Sequence, residues 1–281
     1  MPFYGGLEFV EEAIKSLENQ TYRNFELIVV DDCFPGLRAS EVLSTFDFPW
    51  LKIVRHDANK GLASSRNTGF ENSHGELILP FDDDDVLEPQ FLEKTVAALV
   101  NDITAAGAYS QVAIFGEREE NWIPVITMLN IMSGIPGPST ILFRRHLFGE
   151  AGGFRPGLRS PDSDFWIRVL SHGHRLVRIE EPLYRYRKRP MSLSQKDQFT
   201  EVSDLAKANV ELYREHLLDV IALQESEVQR LKREYLELEG GFKQLNDGYI
   251  DLLARYDEVV RRLQLRSIKL QINRLLSWKN R

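Results

Sequence analysis

Short apolar and polar blocks alternate along residues 1–115 of this 281-residue chain. Three apolar runs have the length of buried strands, namely residues 25–30, 51–54 and 76–81. Apolar positions recur at helical spacing in residues 7–17 and 62–70, and Pro89 stands where it starts a further helix. Strands that alternate with helices pair in parallel. The pattern therefore predicts an α/β fold with a mostly parallel sheet and helices on both faces.

Residues 116–195 have a less regular pattern that is interrupted by glycines and prolines. Within them, residues 165–170 are predicted to form a helix and residues 175–179 a strand. We expect this part to complete the same domain, which then spans residues 1–195.

Residues 217–263 carry apolar side chains at alternating steps of three and four, which is the pattern of a coiled coil. One seam position recurs every seven residues, at Ile221, Val228, Tyr235, Phe242, Tyr249, Tyr256 and Leu263. We predict a helical connector over residues 196–216, followed by a long C-terminal α-helical coiled coil that forms a homodimer. The alternative is a long helix that folds back on the first domain.

Charge is unevenly spread along the chain, whose net charge is −7. Residues 261–281 hold five Arg, two Lys and no acidic residue, so the rest of the chain carries −14. An acidic body argues against nucleic-acid binding. The basic tail also has apolar residues at helical spacing, which predicts peripheral contact with an anionic membrane. A basic end to the coiled coil is the alternative.

Cys33 is the only cysteine, which excludes a disulfide framework within the chain and favours a reducing compartment. The first residues lack the basic and apolar segments of a signal peptide. No apolar run reaches the roughly 20 residues that span a bilayer. We therefore expect a cytoplasmic location.

Two acidic clusters follow predicted strands: Asp31 with Asp32, and the four aspartates at residues 82–85. Ligands of parallel α/β sheets bind at the carboxyl ends of the strands, so both clusters are expected at one crevice. Four adjacent carboxylates repel one another unless a cation is present, and a hard divalent ion also binds diphosphate. The pattern predicts a metal–nucleotide site. A solvated acidic turn before a helix is the alternative.

Several motifs occur in a fixed order: NQTY at residues 19–22, FELIVVDD at 25–32, NKGLASSRNTG at 59–69, GE at 75–76 and FDDDD at 81–85. Together they resemble the inverting glycosyltransferases of family 2, which have the GT-A (Rossmann-like) fold, over residues 2–195. The resemblance implies metal-dependent transfer of a sugar from a nucleotide-sugar donor to a glycan or lipid-linked acceptor, in bacterial surface polysaccharide or other glycan synthesis. The Q-x-x-R-W motif and membrane helices of processive members are not found, so we expect a single-addition enzyme.

The resemblance also implies roles for the acidic residues. Asp32 is expected to contact the nucleotide base, with Asp31 as its alternative. Asp82, Asp84 and Asp85 resemble the D-x-D region, which is expected to contact the ribose and to hold the metal on the diphosphate. Asp85, together with Asp84, is expected to hold Mn²⁺ or Mg²⁺.

Basic residues are expected to contact the donor phosphates. Arg66 resembles a residue near the donor, since its planar cation suits a phosphate, although a surface helix arginine is the alternative. Arg187 and Arg189 lie where the family has a loop that closes over the diphosphate, although a solvated basic loop is the alternative. Asp83 occupies a variable position and is interpreted as a solvated acid.

The catalytic base is expected in the segment SPDSDFWIR at residues 160–168. Asp162 resembles the aspartate that deprotonates the acceptor hydroxyl, and Asp164 is the alternative, interpreted as a residue that starts a helix.

Some features depart from the family pattern. Pro161 replaces a glutamate, Cys33 and Phe34 replace a pair of small residues, and the first strand of the fold is expected to be missing. An inactive, glycosyltransferase-like scaffold and a nucleotidyltransferase are therefore alternatives. The six histidines show no metal-ligand spacing and are interpreted as structural.

Overall fold

The computed structural model describes residues 1–5, 7–46, 48–189 and 198–242, with the backbone alone for residues 45, 198, 199 and 234–242. The chain divides into two compact units, Met1–Val210 and Glu211–Arg281. The first unit therefore runs past the expected boundary at residue 195.

The strands are β1 (Pro2–Phe3), β2 (Leu27–Asp31), β3 (Leu51–Arg55), β4 (Leu77–Ile78), β5 (Val86–Leu87), β6 (Ala105–Gly116), β7 (Glu120–Trp122), β8 (Leu142–Arg144) and β9 (Arg175–Lys188). The helices are α1 (Val10–Glu18), α2 (Ala39–Val42), α3 (Leu62–Glu71), α4 (Phe91–Asn101), α5 (Met128–Met132), α6 (His146–Ala151), α7 (Pro161–Leu170), α8 (Gln198–Ala208), α9 (Val210–Glu215) and α10 (Leu217–Phe242), with a 3-10 turn at Leu43–Thr45.

Among the described residues, the strands form two sheets rather than the single, mostly parallel sheet that the sequence predicts. β1, β2 and β3 pair in parallel in that order. The second sheet has the order β4-β8-β6-β9-β5 with β7 beside β6, and only its β6–β9 pair is parallel. Apolar periodicity predicts that a strand exists but not which strand it pairs with, and here β4 and β5 pair with strands from later in the chain.

The start of the chain also differs from the expectation. Pro2–Phe3 forms a short strand parallel to β2, with Phe3 opposite Asp31, although the sequence predicts that the first strand of the fold is missing. Phe3 is fully buried in the core. This core cluster also contains Val29 of the first sheet and Tyr184 of the second, so the two sheets share one hydrophobic core.

Gln20 ties the first helix to the segment that follows the acidic cluster. Its side chain is fully buried, and its Nε2 donates to the carbonyl oxygen of Glu88 at 2.9 Å while its Oε1 accepts from the amide of Leu92 at 3.0 Å. A buried amide with satisfied donors and acceptors holds both backbone segments in place. The end of the acidic segment is therefore anchored to α1.

The second unit is described only as far as α10. This helix covers residues 217–242 of the predicted coiled coil. The rest of the predicted coiled coil and the basic tail at residues 261–281 lie outside the described residues. No helix in the described ranges combines the length and the apolarity needed to cross a bilayer.

Candidate active site

Arg66 lies at the centre of the candidate site and joins two segments that are distant in sequence. Arg66 lies in the middle of α3. Its Nη2 donates to Asp82 Oδ1 at 2.9 Å, and its Nη1 forms an ion pair with Asp162. The Arg66 side chain is only 3% exposed. The alternative of a surface arginine is therefore wrong, and the structure brings together three of the residues that the sequence singled out.

The carboxylates of Asp82 and Asp162 stabilise the positive charge of the buried Arg66. Burial alone would lower the pKa of Arg66, but Asp162 and Asp82 raise it above its usual value. Burial raises the pKa of Asp162, while the neighbouring Arg66 cation opposes that rise. The Nε of Arg66 has no hydrogen-bond partner among the described residues, so this buried cation retains one donor for a ligand.

Asp31 and Asp32 are both buried, and each accepts three hydrogen bonds from the protein. Asp31 accepts from the amides of Phe34 and Ala39 and pairs with Arg55. These bonds hold the loop that follows β2. A carboxylate has about four acceptor positions, so Asp31 and Asp32 each have about one left for a ligand.

Asp32 holds the start of α3. Its two oxygens accept from the amides of Lys60 at 2.8 Å and Gly61 at 2.7 Å. Gly61 has a φ of +84°, a conformation that favours glycine, and this turn allows its amide to point at Asp32. The carboxylate thus orders the loop before the helix that carries Arg66.

His56 is a contributor to this region whose contacts the sequence did not indicate. It is buried, with Nδ1 2.7 Å from Asp32 Oδ1 and Nε2 2.9 Å from Thr68 Oγ1. His56 directly follows β3, and its ring connects Asp32 at the end of β2 to Thr68 of α3. The interpretation of His56 as structural agrees with these contacts.

The last two aspartates of the acidic segment are held by β9. Asp85 is buried and accepts hydrogen bonds from the hydroxyl of Tyr184 and, at 2.8 Å, from the amide of Arg187. Asp84 pairs with Arg189, and Arg187 Nε donates to the Asp84 carbonyl oxygen at 2.8 Å. Arg187 and Arg189 therefore lie beside the acidic segment, but Arg187 lies within β9 and not in the loop that the resemblance implies. Tyr184 was missed.

The acidic segment has the chemistry of a cation site. Burial and the neighbouring aspartates raise the pKa of Asp83 to about 7, and they also raise the pKa of Asp84 and Asp85. The Oδ2 of Asp83 is shielded from solvent and has no hydrogen-bond partner in the described part of the chain, so its interpretation as a solvated acid is wrong. Neighbouring carboxylates whose negative charge is only partly neutralised by the protein are suited to bind a hard divalent ion. Within the described ranges, however, no three His, Cys, Asp or Glu side chains already converge on one point as metal ligands.

The structure separates the two candidates for the base. Asp162 lies in the first turn of α7 with 21% of its side chain exposed, beside Arg66. Asp164 is fully buried and accepts from Arg168 at 2.7 Å, Arg155 at 3.2 Å and Asn209 at 2.8 Å. Asp162 is therefore accessible to a ligand, whereas Asp164 lies inside a cluster of internal hydrogen bonds.

Pro161 does not disturb this arrangement. It is the first residue of α7, a position that tolerates proline because the missing N–H has no helical partner there. The replacement of a glutamate at this position leaves Asp162 in the first helical turn.

Known proteins resemble this chain in sequence and in fold. The family model described as "Glycosyl transferase family 2" matches residues 1–166. A protein of Haemophilus influenzae named "Uncharacterized glycosyltransferase" is 30% identical over 197 residues, which are 65% of this chain and 65% of that protein.

Two solved structures share the fold. Staphylococcus aureus TarS 1-349, in complex with UDP-GlcNAc, matches with a TM-score of 0.60 and 21% identity over 70% of this chain and 59% of that one. The mannosyltransferase PcManGT from Pyrobaculum calidifontis, in complex with GDP-Man and Mn²⁺, matches with a TM-score of 0.61 and 17% identity over 98% of this chain and 83% of that one. The chain thus spans less than two thirds of the Haemophilus protein and of TarS 1-349.

Proposed function

The chain belongs to glycosyl transferase family 2, and we propose that it moves a sugar from a nucleotide-sugar donor to an acceptor hydroxyl, with inversion and in single additions. The observation that carries this proposal is the contact of Arg66 with both Asp82 and Asp162. It places the acidic segment expected to bind the donor next to the residue expected to activate the acceptor. A scaffold without activity would not require these groups to converge.

The donor half of the site consists of the acidic segment and Arg66. TarS and PcManGT were solved with UDP-GlcNAc and GDP-Man, which supports a nucleoside diphosphate sugar as the donor here. Asp82 and Asp84 would contact the ribose, and Asp32 remains our candidate for contact with the nucleotide base, with Asp31 second. Arg66 would direct its remaining donor at the substrate.

Asp84 and Asp85 would hold a divalent ion, Mn²⁺ or Mg²⁺, which when bound neutralises the charge of the departing diphosphate. The Mn²⁺ in the PcManGT complex supports this assignment. Arg187 and Arg189, which lie against the same aspartates, would add positive charge where the leaving group develops its negative charge.

Asp162 would accept the proton of the acceptor hydroxyl as the hydroxyl attacks the anomeric carbon. Direct attack from the face opposite the diphosphate inverts that carbon, and no covalent enzyme intermediate is needed. The pairing with Arg66 orients the Asp162 carboxylate, and the partly open side chain leaves room for the acceptor.

We predict that donor binding requires the divalent ion and Asp84. In calorimetric titrations with Mn²⁺, the wild-type chain should bind at least one nucleotide-sugar from a panel that includes UDP-GlcNAc and GDP-Man. Excess chelator, or Asp84→Asn, should weaken that binding tenfold or more, roughly the worth of one lost charged ligand. Asp204→Asn is the matched control, since Asp204 pairs with Lys207 on the surface of α8. If excess chelator left donor binding unchanged, the metal assignment would be refuted.

The helical extension is proposed to form a homodimer over residues 217–263, and the tail to touch an anionic membrane from the cytoplasmic side, which would suit a glycan or lipid-linked acceptor. We predict a dimer by light scattering at micromolar concentration, because the seam is apolar.

Removal of residues 261–281 should abolish sedimentation with anionic vesicles while leaving the dimer intact. A monomer in light scattering would contradict the proposed dimer. A full-length chain that stays in the supernatant at low salt would contradict the proposed membrane contact.

A further inference from the structure

We infer that Phe9 and Phe115 are positioning residues for the donor diphosphate, because they order Arg185, Arg187 and Arg189 into an alternating row that ends at Asp84. We call these five residues the arginine ladder. The inference rests on the proposed function, since it deepens the description of the same donor site.

The arginine ladder is continuous. The Cζ of Arg187 lies 4.3 Å from the centre of the Phe115 ring and 4.5 Å from that of Phe9. Arg185 lies 4.6 Å from the Phe115 ring centre, and Arg189 lies 5.2 Å from that of Phe9. All four separations are within the roughly 6 Å over which a cation is attracted to an aromatic face.

Backbone geometry explains how the row forms. Arg185 and Arg187 lie two positions apart on β9, and Arg189 follows directly after its end, so their side chains leave the strand on one side. Phe115 stands opposite Arg187 on the neighbouring strand β6. Phe9 is the residue that precedes α1. Three separate elements therefore supply the ladder.

Carboxylates set the direction of the ladder. Arg185 lies 3.8 Å from Glu88, outside the acidic segment. Arg187 pairs with Glu12, and its Nε donates to the Asp84 carbonyl oxygen. Arg189 pairs with the carboxylate of Asp84, the residue proposed to hold the metal. The ladder thus positions the guanidinium of Arg189 where we expect the diphosphate to lie.

The two phenylalanine rings fix the orientation of the guanidinium groups, which charge alone does not do. A planar guanidinium binds phosphate well only in the correct orientation, and a free arginine side chain loses conformational entropy when it adopts that orientation. Stacking on Phe9 and Phe115 restricts the arginine planes before the ligand arrives. The rings should therefore affect binding of the diphosphate and not binding of the nucleoside.

The test compares nucleoside diphosphates with nucleosides on the full chain. UDP, GDP, ADP and dTDP are titrated calorimetrically with Mn²⁺, and the best ligand is then compared with its nucleoside. Phe9→Leu should weaken binding of the diphosphate roughly tenfold, since it removes two cation–ring contacts, and should leave nucleoside binding unchanged. Phe115→Leu should have a smaller effect in the same direction, because its ring does not touch Arg189. Arg187→Lys should weaken binding of the diphosphate as Phe9→Leu and Phe115→Leu do, since lysine keeps the positive charge but lacks the planar guanidinium that stacks on the rings.

Phe48→Leu is the control, because Phe48 stacks on Trp50 at 4.5 Å in a separate aromatic group before β3. Its binding should match that of the wild type. The inference is overturned if Phe9→Leu and Phe115→Leu bind the diphosphate as tightly as the wild type, or if diphosphate and nucleoside affinity fall together. A wild-type chain that binds none of the four diphosphates would overturn the proposed function, and the inference with it.

Discussion

Asp162→Asn is expected to lower turnover about 100-fold or more while donor binding stays intact, because general-base catalysis contributes about that much. Asparagine keeps the shape of the side chain and can still accept a hydrogen bond from Arg66, so the contact that holds α3 against α7 survives. What it loses is the ability to take a proton. The measurement is kcat and donor affinity for the wild type and the variant, with equal thermal stability as the check on folding.

The pH profile gives an independent readout of the same residue. A base works only when deprotonated, so activity should be full above the pKa of Asp162 and should fall as the pH drops through it. Because burial raises that pKa, the fall should occur above the ordinary aspartate value of about 3.9. The part of the acidic limb that belongs to Asp162 should be lost in Asp162→Asn, while the part that belongs to the acidic segment remains. A variant that retains wild-type turnover would show that another group takes the proton.

Asp164→Asn is expected to reduce the free energy of unfolding by about 3 kcal/mol, since it removes the charge partner of the buried Arg168. Asp164 is fully buried, and Arg168 and Arg155 both direct N–H groups at it. Arg168 also donates to the carbonyl oxygen of Gly153 at 2.8 Å, so the cluster ties α7 to the preceding loop. The loss should appear as a fall in Tm on the order of 10 °C.

Asp204→Asn serves as the matched control for this stability effect. Asp204 is partly exposed and lies 3.3 Å from Lys207 on the same helix. An exposed pair contributes little, so its removal should change stability by about 0.5 kcal/mol or less. If Asp164→Asn left the Tm unchanged and abolished turnover, the roles assigned to Asp162 and Asp164 would have to be exchanged.

Local patterns were enough to locate several elements of the first domain, although the 12-residue strand β6 is not among them. Residues 51–54 were predicted as a strand and the strand spans Leu51–Arg55; residues 62–70 were predicted as a helix and the helix spans Leu62–Glu71. Apolar periodicity determines these elements because each depends on neighbours within a few positions. The sequence also predicts Asp31 and Asp32 at the end of β2, whereas the strand predicted at residues 76–81 is reduced to Leu77–Ile78 and the aspartates at 82–85 directly precede β5.

Pairing between strands was beyond those patterns. The two-residue strands β4 and β5 lie on either side of the acidic segment and pair antiparallel with β8 and β9. Nothing in their own apolar content distinguishes these partners from a parallel neighbour. The choice depends on how distant segments close and pack, which is why the expected single parallel sheet became two sheets.

The same distinction holds in the site. By itself, the sequence determined which residue types were available: two acidic clusters, Arg66 and an aspartate near the start of a helix. Only the tertiary structure decided that Arg66 bridges Asp82 and Asp162, and that Asp164 is buried. The physical reason is that a charge acquires its role from the groups within a few ångströms of it, and Arg66 and Asp162 are 96 positions apart in the chain.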